Sequence, residues 1–371
     1  MKFQVLQERL SQTLNVAGRF VSSRAQLPVL SNIYLAAKQN KIVVSATNLE
    51  MSFSTSIGAK VESPGEITVP ARVIVDLISA APSGPLDIEA DKEQLTLESG
   101  SFASRVNSMN AGDFPTVAQK LSESSFDIES GMFKQLLSKV LFAVSSDETR
   151  PVLNGVLFAF DKKIQELVAT DGFRLSRLTL SIKTNLTGKF VVPKNILAEV
   201  VKIAGESEKI GISFDPKDNL VVFVIGSTIL SSRIIEGAFP DYDKIIPKSL
   251  DYNIDVDKSE LSQSLKAVSV FARDSSNLVK LNLTEKSLTL TSESNQSGSG
   301  QVNVDVKVRH DKTKFKDMLI AFNYKYISDF INSISSESME IGLIGPDSPG
   351  VFIDPQDKDF LHLIMPVKIE E

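Results

Sequence analysis

The residue types that carry most enzymatic and metal chemistry are nearly missing from this chain. There is no Cys among 371 residues, and the two His, His310 and His362, are far apart in sequence. Without thiolates there can be no disulfide, thiolate–metal site, iron–sulfur cluster or Cys nucleophile. Two distant His cannot build a multi-His metal cage and leave few candidates for a Ser-His-Asp triad. We therefore expect no catalytic residues, no metal site and no cofactor.

Carboxylates are abundant, with 46 Asp and Glu, but no motif organises them. The sequence has no phosphate-binding loop, nucleophile elbow or metal-binding His pair. These absences argue against an enzyme, which stays an alternative that a panel of turnover assays would test. No run approaches 18 apolar residues, and Glu8 lies where a signal peptide needs an apolar stretch. We expect no membrane association and a cytoplasmic location.

The elements that would position any site come from an internal repeat. The matching segments are LPVLSNI at 27 and RPVLNGV at 150, SATNLE at 45 and VATDGF at 168, and GEITVP at 65 and GKFVVP at 188. These three matches share one offset of 123 residues, and DFP at 113 returns as AFP at 238, an offset of 125. A third copy is weaker: 276–283 matches 151–158, and 288–293 matches the strand before Asp171. A fixed period indicates repeated structural units. The sequence therefore predicts three domains, 1–121, 125–248 and 251–371.

Each copy follows the same order of elements. An amphipathic helix comes first, alternating strands follow, and a second helix and further strands close the copy. Asp171-Gly172 is a strong signal for a hairpin turn between two of the strands. Helices alternating with mostly antiparallel strands predict an α+β class, with helices on one face of each sheet.

Charge is distributed unevenly between the predicted helices and the rest of the chain. The helices are 7–24, 71–80, 131–144, 194–204, 258–273 and 324–334. They carry twelve basic and five acidic residues, whereas the rest of the chain carries 28 and 41. Helices simply favour Lys and Arg, which is one explanation. The other is a helix-lined, positive surface that faces a polyanion, as sequence-independent nucleic-acid binding requires.

Three segments make the interpretation specific. ATDGFRLS at 169–176, FPDYDKIIP at 239–247 and IMPVKI at 364–369, together with LNG at 153–155 and the repeat, resemble the bacterial DNA polymerase III beta subunit family, the replicative sliding clamps. The resemblance covers the whole chain. It implies three clamp domains, with helices on the inner face and antiparallel sheets outside, in a ring-shaped homodimer around double-stranded DNA.

The family resemblance also implies a function and partners. A clamp is not an enzyme; it is a processivity factor that binds DNA without sequence preference and tethers the replicative polymerase alpha subunit. A clamp loader opens the ring, and other DNA polymerases and repair proteins carry clamp-binding peptides. The main alternative is a repeat α+β protein of another kind that binds a ligand at its surface. Retention on circular but not linear DNA would separate the two.

By the family pattern, partners insert a short, mostly apolar peptide between the second and third domains. The matching positions are Leu153, Thr170, Gly172, Phe173, Arg174, Leu175, Pro240, Lys244, Ile245, Tyr326, Leu363, Met365, Pro366, Val367 and Lys368. Phe173 stands where many relatives carry His, and Lys368 where Arg is common, two departures that bear on partner preference.

The resemblance further assigns an interface and DNA contacts. For the dimer interface it gives the strand 102–109, with Val106 and Met109, and the helix positions Val270 and Phe271. For the DNA face it gives Arg24, and Arg150 and Arg273 lie in corresponding turns of the other copies.

Overall fold

The computed structural model describes the chain except for residues 23–26, 92, 123, 162–163, 183, 185, 207, 275, 311–314 and 370–371. The described residues form three successive sets of helices and strands, which confirms the α+β class and the repeat. By contacts, the chain divides into two compact units, Met1–Phe133 with Asn195–Ile234, and Lys134–Lys194 with Ile235–Glu371. The middle repeat contributes to both units.

The elements follow in chain order. The first repeat has β1 (Lys2–Leu6), α1 (Gln7–Ala17), β2 (Asn32–Lys38), β3 (Lys41–Thr47), β4 (Met51–Gly58), β5 (Lys60–Ser63), β6 (Gly65–Pro70), α2 (Ala71–Ala80), β7 (Pro85–Ala90), β8 (Gln94–Ser99) and β9 (Phe102–Asn107). The second has β10 (Ser125–Glu129), α3 (Ser130–Ser138), β11 (Gly155–Phe160), β12 (Gln165–Thr170), β13 (Arg174–Leu180), β14 (Gly188–Pro193), α4 (Lys194–Ile203), β15 (Lys209–Asp215), β16 (Leu220–Ile225) and β17 (Thr228–Arg233). The third has β18 (Tyr252–Asp257), α5 (Lys258–Ala272), β19 (Leu278–Leu283), β20 (Ser287–Ser294), β21 (Gly298–His310), β22 (Met318–Asn323), α6 (Tyr324–Ser333), β23 (Ser338–Leu343), β24 (Gly350–Asp354) and β25 (Asp357–Ile364).

The first unit contains two antiparallel sheets. One has five strands in the order β5-β1-β7-β8-β9, and the other has eight in the order β10-β15-β16-β17-β4-β3-β2-β6. In the larger sheet β17 of the second repeat pairs with β4 of the first, with Leu230 opposite Phe53 and Ser231 opposite Ser52. We call this pairing the first joint, because it makes one continuous sheet from two repeats.

The second unit contains a single sheet of twelve strands. Its order is β14-β11-β12-β13-β25-β24-β23-β18-β21-β20-β19-β22. Here β13 of the second repeat pairs with β25 of the third, with Leu175 opposite Leu363 and Ser176 opposite His362. We call this pairing the second joint; it repeats the arrangement of the first.

The helices form where buried side chains recur at helical spacing. In α1, Leu10, Leu14 and Ala17 are fully buried, a spacing of one helical turn. Side chains cap two helices: Asp257 accepts a hydrogen bond from the Glu260 N–H at the start of α5, and Asn323 accepts one from Lys325 N–H at the start of α6.

Two helices end earlier than the sequence predicts. α1 stops at Ala17 and α3 at Ser138, so Arg19 and Lys139 lie beyond the helices. These two cations form ion pairs, Arg19 with Glu199 and Lys139 with Asp357. The helices as observed carry eight basic and five acidic residues. The excess of positive charge on helices is therefore smaller than predicted.

Candidate peptide-binding site

The second joint brings two distant parts of the sequence side by side. β13 starts at Arg174, which lies opposite Ile364 of β25. Beyond the paired strands, the Met365 N–H donates to the Phe173 carbonyl at 2.8 Å, and the Val367 N–H donates to the Ala321 carbonyl at 2.8 Å. The predicted positions 172–175 and 363–367 of the peptide site are therefore neighbours.

A tight turn presents Phe173 and Arg174 at the start of β13. The Thr170 hydroxyl accepts from Gly172 N–H at 3.1 Å and donates to the Arg174 carbonyl at 2.6 Å. The Asp171 carboxylate accepts from the backbone N–H of Phe173 at 2.9 Å and of Arg174 at 3.0 Å. Gly172 has a φ of +93°, a backbone conformation that residues other than glycine rarely adopt. The turn is therefore fixed by local hydrogen bonds.

Each nitrogen of the Arg174 guanidinium donates a hydrogen bond. Nε donates to Asp171 at 3.0 Å, while the two terminal nitrogens donate to Asp329 and to the Phe142 carbonyl. It also lies 4.4 Å from the ring centroid of Tyr326, within cation–π range. Burial, followed by the charge of Asp171, raises the pKa of Tyr326. The guanidinium thus holds the strand, the turn and α6 together, with one hydrogen bond from each of its three nitrogens.

The apolar side chains at the joint divide into a buried floor and an exposed rim. Leu175 is 1% exposed and Leu363 2%, and both belong to one apolar cluster with Tyr242. By contrast Phe173 is 60% exposed and Met365 is 37% exposed. The predicted residues are sorted accordingly: Leu153, Thr170, Leu175 and Leu363 are buried, and Gly172, Phe173, Pro240, Ile245, Met365 and Val367 are exposed. The exposed apolar group is what a peptide could contact.

Two predicted positions lie at the margin. Lys244 is highly exposed and pairs with Asp241 at 2.8 Å, and the hydrogen bond to Asp241 raises the Lys244 pKa. Lys368 is exposed and lines a separate polar cleft with Asp274 and Lys280. The structure therefore does not bring Lys368 into the apolar group.

His362 lies beneath the joint, and sequence reasoning missed its place in the site. Its ring is fully buried, stacks on Phe330 at 5.6 Å and bonds through Nδ1 to the Ser176 hydroxyl at 2.8 Å. Burial, with a further contribution from the positive Arg174, lowers the pKa of His362 to about 3. The continuous apolar run around it in β25, from Phe360 to Ile364, was the available signal. Asp329, which pairs with Arg174, was also missed and carries no local signal.

Two of the three residues predicted to face DNA, Arg150 and Arg273, can be located in the structure. Arg24 lies outside the described residues. Arg150 is exposed, and its guanidinium would lie 3.2 Å from a Cβ added at Gly172, so it neighbours the turn of the peptide site. Arg273 is exposed at the end of α5.

The predicted interface residues have different environments. Val106 is buried within the first unit, whereas Met109 is exposed and its backbone pairs with Thr68. Val270 is exposed; Phe271 is half-buried, and its ring lies where a Cβ on Gly300 would need to be.

Two absences hold for the residues that the structure describes. Within that part of the chain, no group of His, Cys, Asp and Glu could hold a metal ion. Nor does any helix found there combine the length and apolar character needed to cross a membrane.

Comparison with known proteins agrees with this architecture. Models of the DNA polymerase III beta subunit match the chain in three parts: the N-terminal domain at 1–118, the central domain at 127–241 and the C-terminal domain at 243–368. The beta sliding clamp of Chlamydia muridarum is 27% identical over 374 residues, covering all of both chains.

Solved structures give the same result. The sliding clamp of Bacillus subtilis is 25% identical with a TM-score of 0.93, and the DNA polymerase III beta subunit of Thermotoga maritima is 26% identical with a TM-score of 0.89, each over the full length of both chains. The fold, with its repeated joints, is that of a DNA sliding clamp, a processivity factor with no catalytic activity. The chain belongs to the DNA polymerase III beta subunit family.

Proposed function

We propose that two copies of this chain pair head to tail into a ring that encloses double-stranded DNA. The observation that carries the proposal is a pair of unused strand edges. β4 and β13 occupy equivalent positions in the first two repeats, and β21 occupies that position in the third. β17 and β25 are likewise equivalent to β9. The chain joins β4 to β17 and β13 to β25.

The strands that would form a third joint, β9 and β21, do not pair with each other in the part of the chain that the structure describes. Among the described residues, β9 pairs only with β8, and the 298–305 part of β21 pairs only with β20. An unpaired edge is a template for another strand. Pairing β9 of one copy with β21 of a second copy would repeat the other two joints, and the reciprocal pairing would close the ring. Val270 and Phe271 lie at the end of α5, and Phe271 packs beside Gly300 of β21.

The repeat in the sequence also defines the limits of the three domains. We propose the limits 1–121, 125–248 and 251–371 for the three clamp domains. The family models for the first two domains end at 118 and begin at 127, which supports the first limit, whereas the boundary between the second and third models, at 241 and 243, falls a few residues before the proposed limit at 248.

The exposed apolar group at the second joint is our proposed peptide site. It would take a mostly apolar peptide from the polymerase III alpha subunit, the clamp loader, or other polymerases and repair proteins. Exposed Phe173, Ile245, Met365 and Val367 support this, since such groups mark interaction surfaces. Buried Leu175 and Leu363 would support the site from beneath.

DNA contact inside the ring would be electrostatic and independent of sequence. Arg24, Arg150 and Arg273 stay our candidates for phosphate contact. Enclosure makes tight contact unnecessary, because a closed ring leaves DNA only by opening or at an end. We expect the contact to weaken with salt, as phosphate neutralisation does. A cytoplasmic location is part of the proposal.

The ring is tested by charging its predicted interface. Phe271→Asp should convert a dimer into a monomer by light scattering at micromolar concentration, because a carboxylate would be buried at the joint. Ile164→Asp is the matched control, since Ile164 is an exposed apolar residue in a loop of the second unit. A wild-type chain that is monomeric, or a Phe271→Asp variant that stays dimeric, would contradict the proposal.

DNA enclosure is tested on a nicked circular plasmid with the family's clamp loader. Loaded wild-type protein should stay on the circle through a high-salt wash and be released when the plasmid is linearised. Equal release from both forms would mean that binding is not topological.

A further inference from the structure

We propose that Tyr242, Glu166 and Arg177 form a buried hydrogen-bonded triad that positions one wall of the peptide site, the segment from Pro240 to Ile245. This inference rests on the proposed peptide site and names residues beyond those assigned to it. Tyr242 is a positioning residue in this proposal, because its side chain is buried and offers almost no surface for a peptide to contact.

The triad is well bonded and shielded. The Tyr242 hydroxyl donates to Glu166 Oε2 at 2.7 Å, and Glu166 Oε1 accepts from Arg177 Nε at 2.8 Å and from a terminal nitrogen. Tyr242 is 7% exposed and Glu166 6%. Burial, followed by the hydrogen bond to Glu166, raises the pKa of Tyr242, so the phenol keeps its proton and remains a donor. A buried carboxylate needs such partners, and here Arg177 balances its charge.

The segment that Tyr242 holds also packs Phe239, Ile246 and Leu250, all partly buried, against the same apolar cluster. Its backbone is anchored at the ends, where Ile235 N–H donates to the Val191 carbonyl and Asp251 N–H donates to the Leu343 carbonyl. In 236–250, all of which the structure describes, Tyr242 is the one buried residue. Its ring belongs to the apolar cluster that contains Leu175 and Leu363. Tyr242 therefore links the connecting segment to the floor of the site.

Pro240 and Ile245 lie two and three residues from Tyr242, on either side of it. Tyr242 also begins a short 3-10 turn, Tyr242–Lys244, and Ile245 N–H donates back to the Tyr242 carbonyl at 3.2 Å. Because this turn joins the two residues, we expect the position of the Tyr242 ring to set the position of Ile245. Loss of the hydrogen bond should therefore loosen the wall without removing any residue that a peptide contacts.

The first joint provides a natural comparison within the same chain. At the repeat offsets, Tyr242, Glu166 and Arg177 correspond to Val117, Val43 and Ser54. None of these three can form the triad, and they line an open cleft of about 590 Å³. The triad thus accompanies the joint that carries the exposed apolar group.

The test uses the full-length chain and a fluorescent peptide carrying the clamp-binding sequence of the polymerase III alpha subunit. Tyr242→Phe should raise the peptide Kd roughly tenfold, because affinity falls with the fraction of protein whose site is in the binding position. Amide hydrogens of 241–246 should exchange faster in the variant, which a change in global stability alone would not confine to that segment.

Two further variants separate positioning from general destabilisation. Tyr34→Phe is the matched control, because the Tyr34 hydroxyl donates to the Glu66 carboxylate at 2.6 Å in the first unit, and it should leave peptide affinity unchanged. Glu166→Gln should retain most affinity, since an amide can accept from Arg177 and donate to the phenol oxygen.

The outcomes are distinct. Wild-type affinity in Tyr242→Phe, or an equal loss in Tyr34→Phe, would overturn the positioning role. A wild-type chain that does not bind the peptide would instead overturn the proposed peptide site.

Discussion

The two joints have the same backbone pairing but place their polar pair on opposite faces of the sheet. At the first joint Ser52 faces Ser231, with the hydroxyl oxygens 2.6 Å apart, and the next pair is Phe53 with Leu230. At the second joint Leu175 faces Leu363, and the next pair is Ser176 with His362. Successive residues of a strand point to opposite faces. At these two successive positions the polarity of the two faces is therefore exchanged between the joints.

This exchange extends to the exposed positions beside the joints. The bond from Met365 N–H to the Phe173 carbonyl has a counterpart from Arg233 N–H to the Glu50 carbonyl. The first joint thus has Arg and Glu where the second has Met and Phe. The backbone geometry is shared, so a few side chains decide which joint offers an apolar surface. The comparison teaches that pairing builds the architecture, whereas side-chain identity at equivalent positions decides binding.

The largest expected effect concerns the buried floor. Leu175→Ala should lower the free energy of unfolding by about 3 kcal/mol in a urea titration, because a fully buried side chain leaves a cavity. Ser52→Ala at the equivalent position of the first joint should cost far less. Equal costs would show that the two floors are packed alike, contrary to the comparison.

The sequence predicted the architecture well, because the repeat and its turns are local signals. The offset of 123 residues predicted repeated domains, but not that neighbouring repeats are joined by strand pairing. It could not distinguish buried Leu175 from exposed Phe173, since both lie in one short segment and their burial depends on pairing with a strand almost 190 residues later. The ties from Arg174 to Asp329 and from Tyr242 to Glu166 are non-local for the same reason.

Helix ends were predicted less well, with consequences for the charge argument. The chain from Gly18 onward leaves the helix, although apolar spacing continues through Phe20. Arg19 is then an ion-pair partner of Glu199, at 2.9 Å, rather than a helix-borne cation. Amphipathic spacing alone therefore overstated the positive charge on the helices.

The next test replaces two exposed residues of the second joint with their counterparts from the first joint. The double variant Phe173→Glu with Met365→Arg gives the second joint the residues of the first. It should weaken binding of the polymerase alpha subunit peptide by at least about a hundredfold, or about 2.8 kcal/mol, because charges replace the apolar contact surface. Isothermal titration calorimetry measures the loss.

Its control is the double variant Glu50→Ala with Arg233→Ala, which alters the same positions of the first joint. Peptide affinity should stay at the wild-type value. If the first-joint variant lost binding and the second-joint variant kept it, the peptide site would belong to the other joint.

A pH dependence should come from the second joint alone. The pKa of His362 is lowered to about 3 in the folded chain, against about 6.5 when unfolded. Between these values the unfolded state binds a proton that the folded state does not, so stability falls as pH decreases from about 6.5 toward 3. The loss by pH 5 should be about 2 kcal/mol, measured by urea titration at each pH.

His362→Phe removes the titrating group and keeps a ring that can stack on Phe330. Its stability should change less between pH 6.5 and 5 than that of the wild type. Parallel curves for the two proteins would mean that another group causes the acid sensitivity. The first joint has apolar Leu230 at the equivalent position, so it contributes no such dependence.

The smallest effect concerns the hydroxyl pair of the first joint. Ser52→Ala removes one partner and leaves the Ser231 hydroxyl buried without it, which should cost about 1 kcal/mol. The double variant Ser52→Ala with Ser231→Ala removes both polar groups from the same buried place and should be closer to the wild type than either single variant. Urea titrations of the four proteins form a double-mutant cycle. Additive single costs would show that the two hydroxyls do not interact, and the polar pair would then no longer account for the difference between the joints.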